Sequence, residues 1–234
     1  MKKFILTDET IEMFGVTLHR IKAVRSFGDV KEGDLGGFVE KEENISEHFE
    51  AWVYGNAKVW GDAKVWGDAK VWGDAEVWGD AKVCGNAEVW GDDKVWGKAE
   101  VCGNAEVWGD AKVWGKAEVC GDAKVWGKAE VCGDAEVCGN AKVCGDAKVW
   151  GDAKVWGDAD YIVFKNWWSS GRYFTWTRSN NMWSVGCFYG TGEELIKEAY
   201  QDSEKSGREY ERVVKFVQSI LEDEKNDNNQ EKHV

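Results

Sequence analysis

Apolar and polar positions alternate through the middle of this chain with a period of six. Eighteen valines recur from Val53 to Val155, each followed two residues later by glycine, in units of the form A-[KE]-V-[WC]-G-[DNK]. A unit such as Ala57-Lys58-Val59-Trp60-Gly61-Asp62 runs small-apolar, charged, β-branched, aromatic, then turn. That is the period-2 pattern of a short strand, with Ala and Val on one face and Lys/Glu and Trp/Cys on the other. Gly-Asp or Gly-Asn supplies the corner, because glycine accepts the backbone angles that a tight bend needs. Valine and alanine must then fill an interior while charged and aromatic residues point out. Six-residue sides close most simply as a triangle. At the Trp/Cys position, residues 18 apart match in 9 of 15 pairs, against 7 of 16 for residues 12 apart. The pattern predicts an all-β solenoid, a parallel β-helix of about six triangular 18-residue coils. At strand spacing, its height is about 29 Å.

A solenoid needs closed ends, and the flanks lack the period. Residues 1–52 read as an N-terminal β cap, with strands at Phe4-Ile5-Leu6 and Val16 to Phe27 and a turn at Asp34-Leu35-Gly36-Gly37. Residues 53–158 are the repeats. Residues 159–224 read as a small α+β module of three strands (161–165, 172–178 and 182–188) and two helices. Its turns are placed at Ser169-Ser170-Gly171 and Asn180-Asn181, and its helices start near Gly192 and run over about 208–222. The polar stretch 225–234 is expected to be a disordered tail.

The V-x-G-[DN]-A-x units resemble the hexapeptide repeats of the left-handed β-helix, LpxA-like superfamily, and the left hand is implied by that resemblance. The flank from Phe27-Gly28-Asp29-Val30 through Gly36-Gly37-Phe38-Val39, running into Ala51-Trp52-Val53-Tyr54, is similar to the lead-in of YdcK-like proteins. It is also similar to hexapeptide-repeat proteins of phages and prophages, which implies a phage or prophage origin. The run Gly186-Cys187-Phe188-Tyr189-Gly190-Thr191 resembles a C-terminal module of such phage proteins. One departure stands out: the small or acidic residue usual after the aliphatic position is Trp or Cys here.

The superfamily resemblance implies acyl transfer with a coil histidine as base, or a zinc site of three histidines. This chain has His19, His48 and His233, none of them in the repeats. The repeats therefore carry no catalytic residue and no metal or cofactor ligand set. The cysteines Cys84, Cys102, Cys120 and Cys138 fall in one column, and Cys132 and Cys144 interrupt the other two. A thiol ladder at strand spacing could bind a soft metal or oxidise, because strand-spaced Cα atoms lie within disulfide range. Without a C-x-x-C pair, drift at a permissive outer position explains them better, and the seven thiols are expected to be reduced in a cytoplasm. Asp93 replaces the inward alanine of its unit, an exchange read as drift absorbed by a distorted corner.

The net charge of −13 argues against phosphate backbones and anionic membranes as partners. No apolar stretch approaches the roughly 18 residues needed to span a membrane. An acidic DNA mimic is a further alternative, but 13 positive residues interleave with 19 negative ones over 53–158. The outward tryptophans carry the main expectation. Trp72, Trp90, Trp108 and Trp126 should stack on one face, and Trp60, Trp78, Trp96 and Trp114 on a second. Stacking stabilises a sheet, and leaving a large apolar row wet marks an interface. The sequence thus favours a non-catalytic binding or scaffolding protein that uses exposed Trp ladders for self-association, trimers by the resemblance, for docking another protein, or for stacking sugar rings or bases. A divergent acyltransferase is the alternative.

Overall fold

The computed structural model describes residues 2–166 and 171–231. Two antiparallel strands, β1 (Phe4–Met13) and β2 (Val16–Ala23), form a hairpin whose second strand pairs with β3 (Leu35–Val39). From there the chain winds as a parallel solenoid of about seven turns, its short strands stacked in three sheets. Pairing joins residues 18 apart, as in Val89 with Val107 and Val107 with Val125. Among the inward residues of 53–158, the Val and Ala side chains are fully buried in one continuous core.

The coil count differs from the valine period, and the reason lies in the cap. Val39 pairs with Val59 and Ile45 bridges Val65, so residues read as cap already form the first turn with a different spacing. Its Gly36-Gly37 pair has no room for side chains: a Cβ on Gly36 would lie 2.6 Å from the Val53 carbonyl oxygen.

The two ends are closed by opposite chemistry. At the first turn, carbonyls lack a preceding coil to donate to them. The buried Lys3 donates from Nζ to the Ala51 carbonyl at 2.7 Å, and Asn44 Nδ2 donates to those of Gly61 and Ala63 at 3.1 and 2.8 Å. Arg20 Nη1 reaches Gly36 and Gly55. At the last turn, amides lack a following coil to accept from them. Lys148 N donates to Thr175 Oγ1 at 2.9 Å, Lys154 N to Ser179 Oγ at 2.6 Å, and Trp156 N to Asp160 Oδ2 at 2.8 Å. Each substitution satisfies a backbone group that burial would make costly to leave unpaired.

The C-terminal module has a four-stranded antiparallel sheet where three strands were expected: Tyr161–Lys165, Tyr173–Thr177, Met182–Val185 and Phe188–Gly190, in that order. The expected third strand is split at Gly186, whose φ of 62° turns the chain into a further hairpin. Helix α1 (Gly192–Asp202) starts at a capping box in which Thr191 and Glu194 bond each other's backbone amides. Helix α2 (Glu204–Glu231) begins before, and runs well past, the apolar stripe that predicted it, into the stretch expected to be a tail. Leu195, Ala199, Tyr210, Val214 and Val217 pack on Phe174, Trp176, Trp183 and Val185 as a second core. The expected turn at 169–171 lies largely outside the described residues.

Candidate functional site: the three faces of the solenoid

Because coils stack in register, each outward position becomes a column. Trp60, Trp78, Trp96 and Trp114 stand on one face, with successive rings 5.0 Å apart and within 4° of parallel. Trp72, Trp90, Trp108 and Trp126 stand on a second. There Trp90, Trp108 and Trp126 stack at 5.0 to 5.1 Å, whereas Trp72 meets Trp90 edge-on at 88°. Both expected columns therefore form.

Their exposure is less than the alternation alone implied. Trp60 is buried, with 6% of its surface accessible, and the other seven are half-buried. Stacking covers the faces of the interior rings and leaves their rims outward. Stacking a sugar ring or base on an indole needs an open face, which the interior rungs of these ladders do not offer.

The two columns end differently. The cap hairpin lies over the start of the Trp60 column: Phe14 sits 6.4 Å from Trp60, and Leu18 and Phe38 pack against it with Ile11, Met13 and Val16 nearby. At the far end of that face, Lys148 Nζ reaches the Gly186 carbonyl of the C-terminal module. The Trp72 column begins with Tyr54, 5.8 Å from Trp72, and runs to Cys144. Along these faces charged neighbours pair between coils, as in Lys124–Glu106 at 2.8 Å and Lys94–Glu76 at 3.2 Å.

The third face carries Trp66, the four cysteines and Trp156, which is 58% accessible. Cys120 and Cys138 form a disulfide with Cα atoms 4.6 Å apart, which corrects the expectation that all seven thiols are reduced. Cys84 and Cys102 share a hydrogen bond. It is the main cause holding the Cys102 thiol down at about 7, while the Cys84 thiol is raised, first by that bond and then by burial. On the Trp60 face, burial pushes Cys132 up to about 12. The column spacing at which strand neighbours meet was the sequence signal for this pairing.

The histidines lie apart from the columns. His19 is on β2 with Nδ1 3.1 Å from the Thr7 carbonyl oxygen, His48 is exposed in the loop before the first repeat, and His233 lies outside the described residues. A cavity of about 680 Å³ opens in the C-terminal module, where Arg172, Cys187 and Tyr189 face Glu194, Glu198 and Asp202. Sequence reasoning had no signal for it, since its walls come from a hairpin and a helix.

These stacked coils make the molecule a parallel β-solenoid protein, with a spacing compatible with a hexapeptide-repeat β-helix. No family model matches the chain, and no curated protein matches it. Among the described residues, no helix is long and apolar enough to cross a membrane.

Proposed function

We propose that this chain is a non-catalytic scaffold that associates through its Trp72 face, and that the surface it meets there is a second copy of the same chain. The observation that supports this reading is the row of indole rims on Trp90, Trp108 and Trp126, in a column that also holds Trp72 and runs from Tyr54 to Cys144. The Trp60 column, by contrast, starts beneath the cap hairpin. A flat row repeating at one strand step is complementary to any surface with the same period, and a second copy supplies that period. The family resemblance favours three copies around a common axis. A phage or prophage origin fits such a structural role.

Neither alternative gains comparable support. A DNA mimic wants a surface of one sign, whereas Lys82–Glu100, Lys124–Glu106 and Lys154–Glu136 neutralise one another along the columns. Among the described residues, an acyltransferase would have to draw its base from His19 or His48, both in the cap region.

Light scattering after gel filtration tests the proposal. The wild type should run at a multiple of 26.3 kDa, and Trp90→Glu with Trp108→Glu should bring it to that single-chain mass. Trp96→Glu, on the other face, should leave the assembly intact. A wild type that stays at 26.3 kDa at every concentration overturns the reading.

A further inference from the structure

The cysteine face presents sulfur in a line. Cys84, Cys102, Cys120 and Cys138 occupy the outer position of successive coils, and the valines before them pair as Val83–Val101, Val101–Val119 and Val119–Val137. One end of the line holds the Cys120–Cys138 disulfide, and the other holds the free thiols of Cys84 and Cys102. All four side chains are half-buried, so their sulfurs share a partly dry, partly accessible strip.

We propose that this row is a thiol–disulfide exchange site, in which a single disulfide migrates between adjacent coils along the solenoid axis. In the first step the Cys102 thiolate attacks Cys120 Sγ. The Cys102–Cys120 bond forms as the Cys120–Cys138 bond breaks, and the bonding pair leaves on Cys138 Sγ, which takes up a proton from solvent in place of the one Cys102 gave up. In the second step Cys84 loses its proton and attacks Cys102 Sγ. A Cys84–Cys102 bond forms, and Cys120 is released as the thiol. The number of disulfides and thiols is unchanged throughout, so no oxidant or reductant is consumed.

Exchange passes through attacking, central and leaving sulfurs arranged nearly in line, and the thiolate is the attacking species. A column of identical register supplies that alignment without moving the backbone. The 4.6 Å Cα separation of Cys120 and Cys138 lies within the disulfide range. Every other step of the column repeats the same strand spacing, so each adjacent pair can be bridged in turn. Cys102 is the free thiol on the coil next to the disulfide, which places it to attack Cys120, and its neighbour Cys84 lowers it from the usual thiol value. Lys82 stands beside Cys84 and is paired with Glu100, while Glu100 and Glu118 flank Cys102 and oppose its ionisation. Cys132 and Cys144 sit on other faces and Cys187 in the C-terminal module, which makes them internal standards.

The test uses the full-length protein with its Cys120–Cys138 disulfide in place, freed of small thiols, held without oxygen, quenched in acid at intervals and mapped by differential alkylation and mass spectrometry. In the wild type, protection of Cys138 should fall with time while protection of Cys84 rises, with total disulfide constant. In Cys102→Ser the bond should stay at Cys120–Cys138 and Cys84 should remain alkylatable. In Cys84→Ser, which keeps the nucleophile, Cys138 should still be released and Cys102 become protected. A bond confined to Cys120–Cys138 in the wild type, or redistribution that survives Cys102→Ser, overturns the proposal.

Discussion

Replacing Asp93 with asparagine should remove a pH dependence of stability that the wild type shows between about pH 4 and pH 8. Asp93 stands in the inward column between Ala75 and Ala111 and is fully buried. Its Oδ1 accepts the Ala111 amide at 2.7 Å, and its Oδ2 has no partner. The corners before Asp93 and Ala111 have opened to accommodate it: φ is 95° at Gly91 and 98° at Gly109, against 73° at Gly73 and 77° at Gly127. Burial pushes the carboxyl up from 3.8 to about 8; the Ala111 amide opposes this, and Asp110 and Asp92 add to it. Between those values the folded chain keeps a proton that the unfolded chain has lost, so unfolding releases it and stability falls as pH rises. At 1.4 kcal/mol per pH unit the loss from pH 4 to pH 7 is about 4 kcal/mol. Below about pH 4 both states are protonated and above about pH 8 both are ionised, so the slope vanishes at each end. Urea midpoints across this range are the assay, for wild type, Asp93→Asn and Asp93→Ala. The alanine variant should be as flat with pH as the asparagine one; it removes the unpartnered oxygen but also the acceptor of the Ala111 amide, two opposing effects of about 1–3 kcal/mol each. If wild type and Asp93→Asn show the same pH slope, the carboxylate is solvated in the folded state and the reasoning fails.

Lys3→Met should cost about 1–3 kcal/mol by leaving the Ala51 carbonyl without its donor, seen as faster hydrogen exchange confined to the first turn. Burial lowers Lys3 from 10.5 to about 8, so between those values the folded state holds fewer protons and wild-type stability should rise with pH; Lys3→Met should lose that rise in a denaturation series. Gly73→Ala puts a Cβ 2.9 Å from the Gly91 amide nitrogen at a φ of 73°, whereas Gly145→Ala has a similar φ of 68° and nothing within 4 Å. Thermal melts should therefore show a loss of about 1–2 kcal/mol for Gly145→Ala and a larger one for Gly73→Ala, the difference measuring the coil-to-coil contact. Trp96→Leu removes stacks on Trp78 and Trp114 and should cost about 1–3 kcal/mol beyond the lost area, with weakened near-ultraviolet circular dichroism.

The repeats were legible because each residue there answers to its neighbours 6 and 18 positions away, and those neighbours are copies of itself. Which side chains point inward followed from the alternation, and the columns from the 18-residue match of the outward position. Alternation says which way Trp96 points, but not that Trp78 and Trp114 cover its faces, so the burial of the ladders was not legible. Nor was the first turn, where Val39 and Ile45 enter the core columns without the A-x-V-x-G signature. The ends follow a different logic: there the periodic partner is missing and a side chain of the right hydrogen-bonding sense must replace it. Lys3, Arg20 and Asn44 bring donors to the carbonyl end, and Thr175, Ser179 and Asp160 bring acceptors to the amide end. This closure bears on association. The carbonyls of Ala51, Gly61 and Ala63 at one end and the amides of Lys148, Lys154 and Trp156 at the other are already bonded to side chains, so adding a copy at either end would first break those bonds. The flanks carry no such penalty, because the rims of Trp90, Trp108 and Trp126 can be covered without loss of any backbone hydrogen bond. For the association proposed above, the end chemistry therefore favours the flanks over the ends.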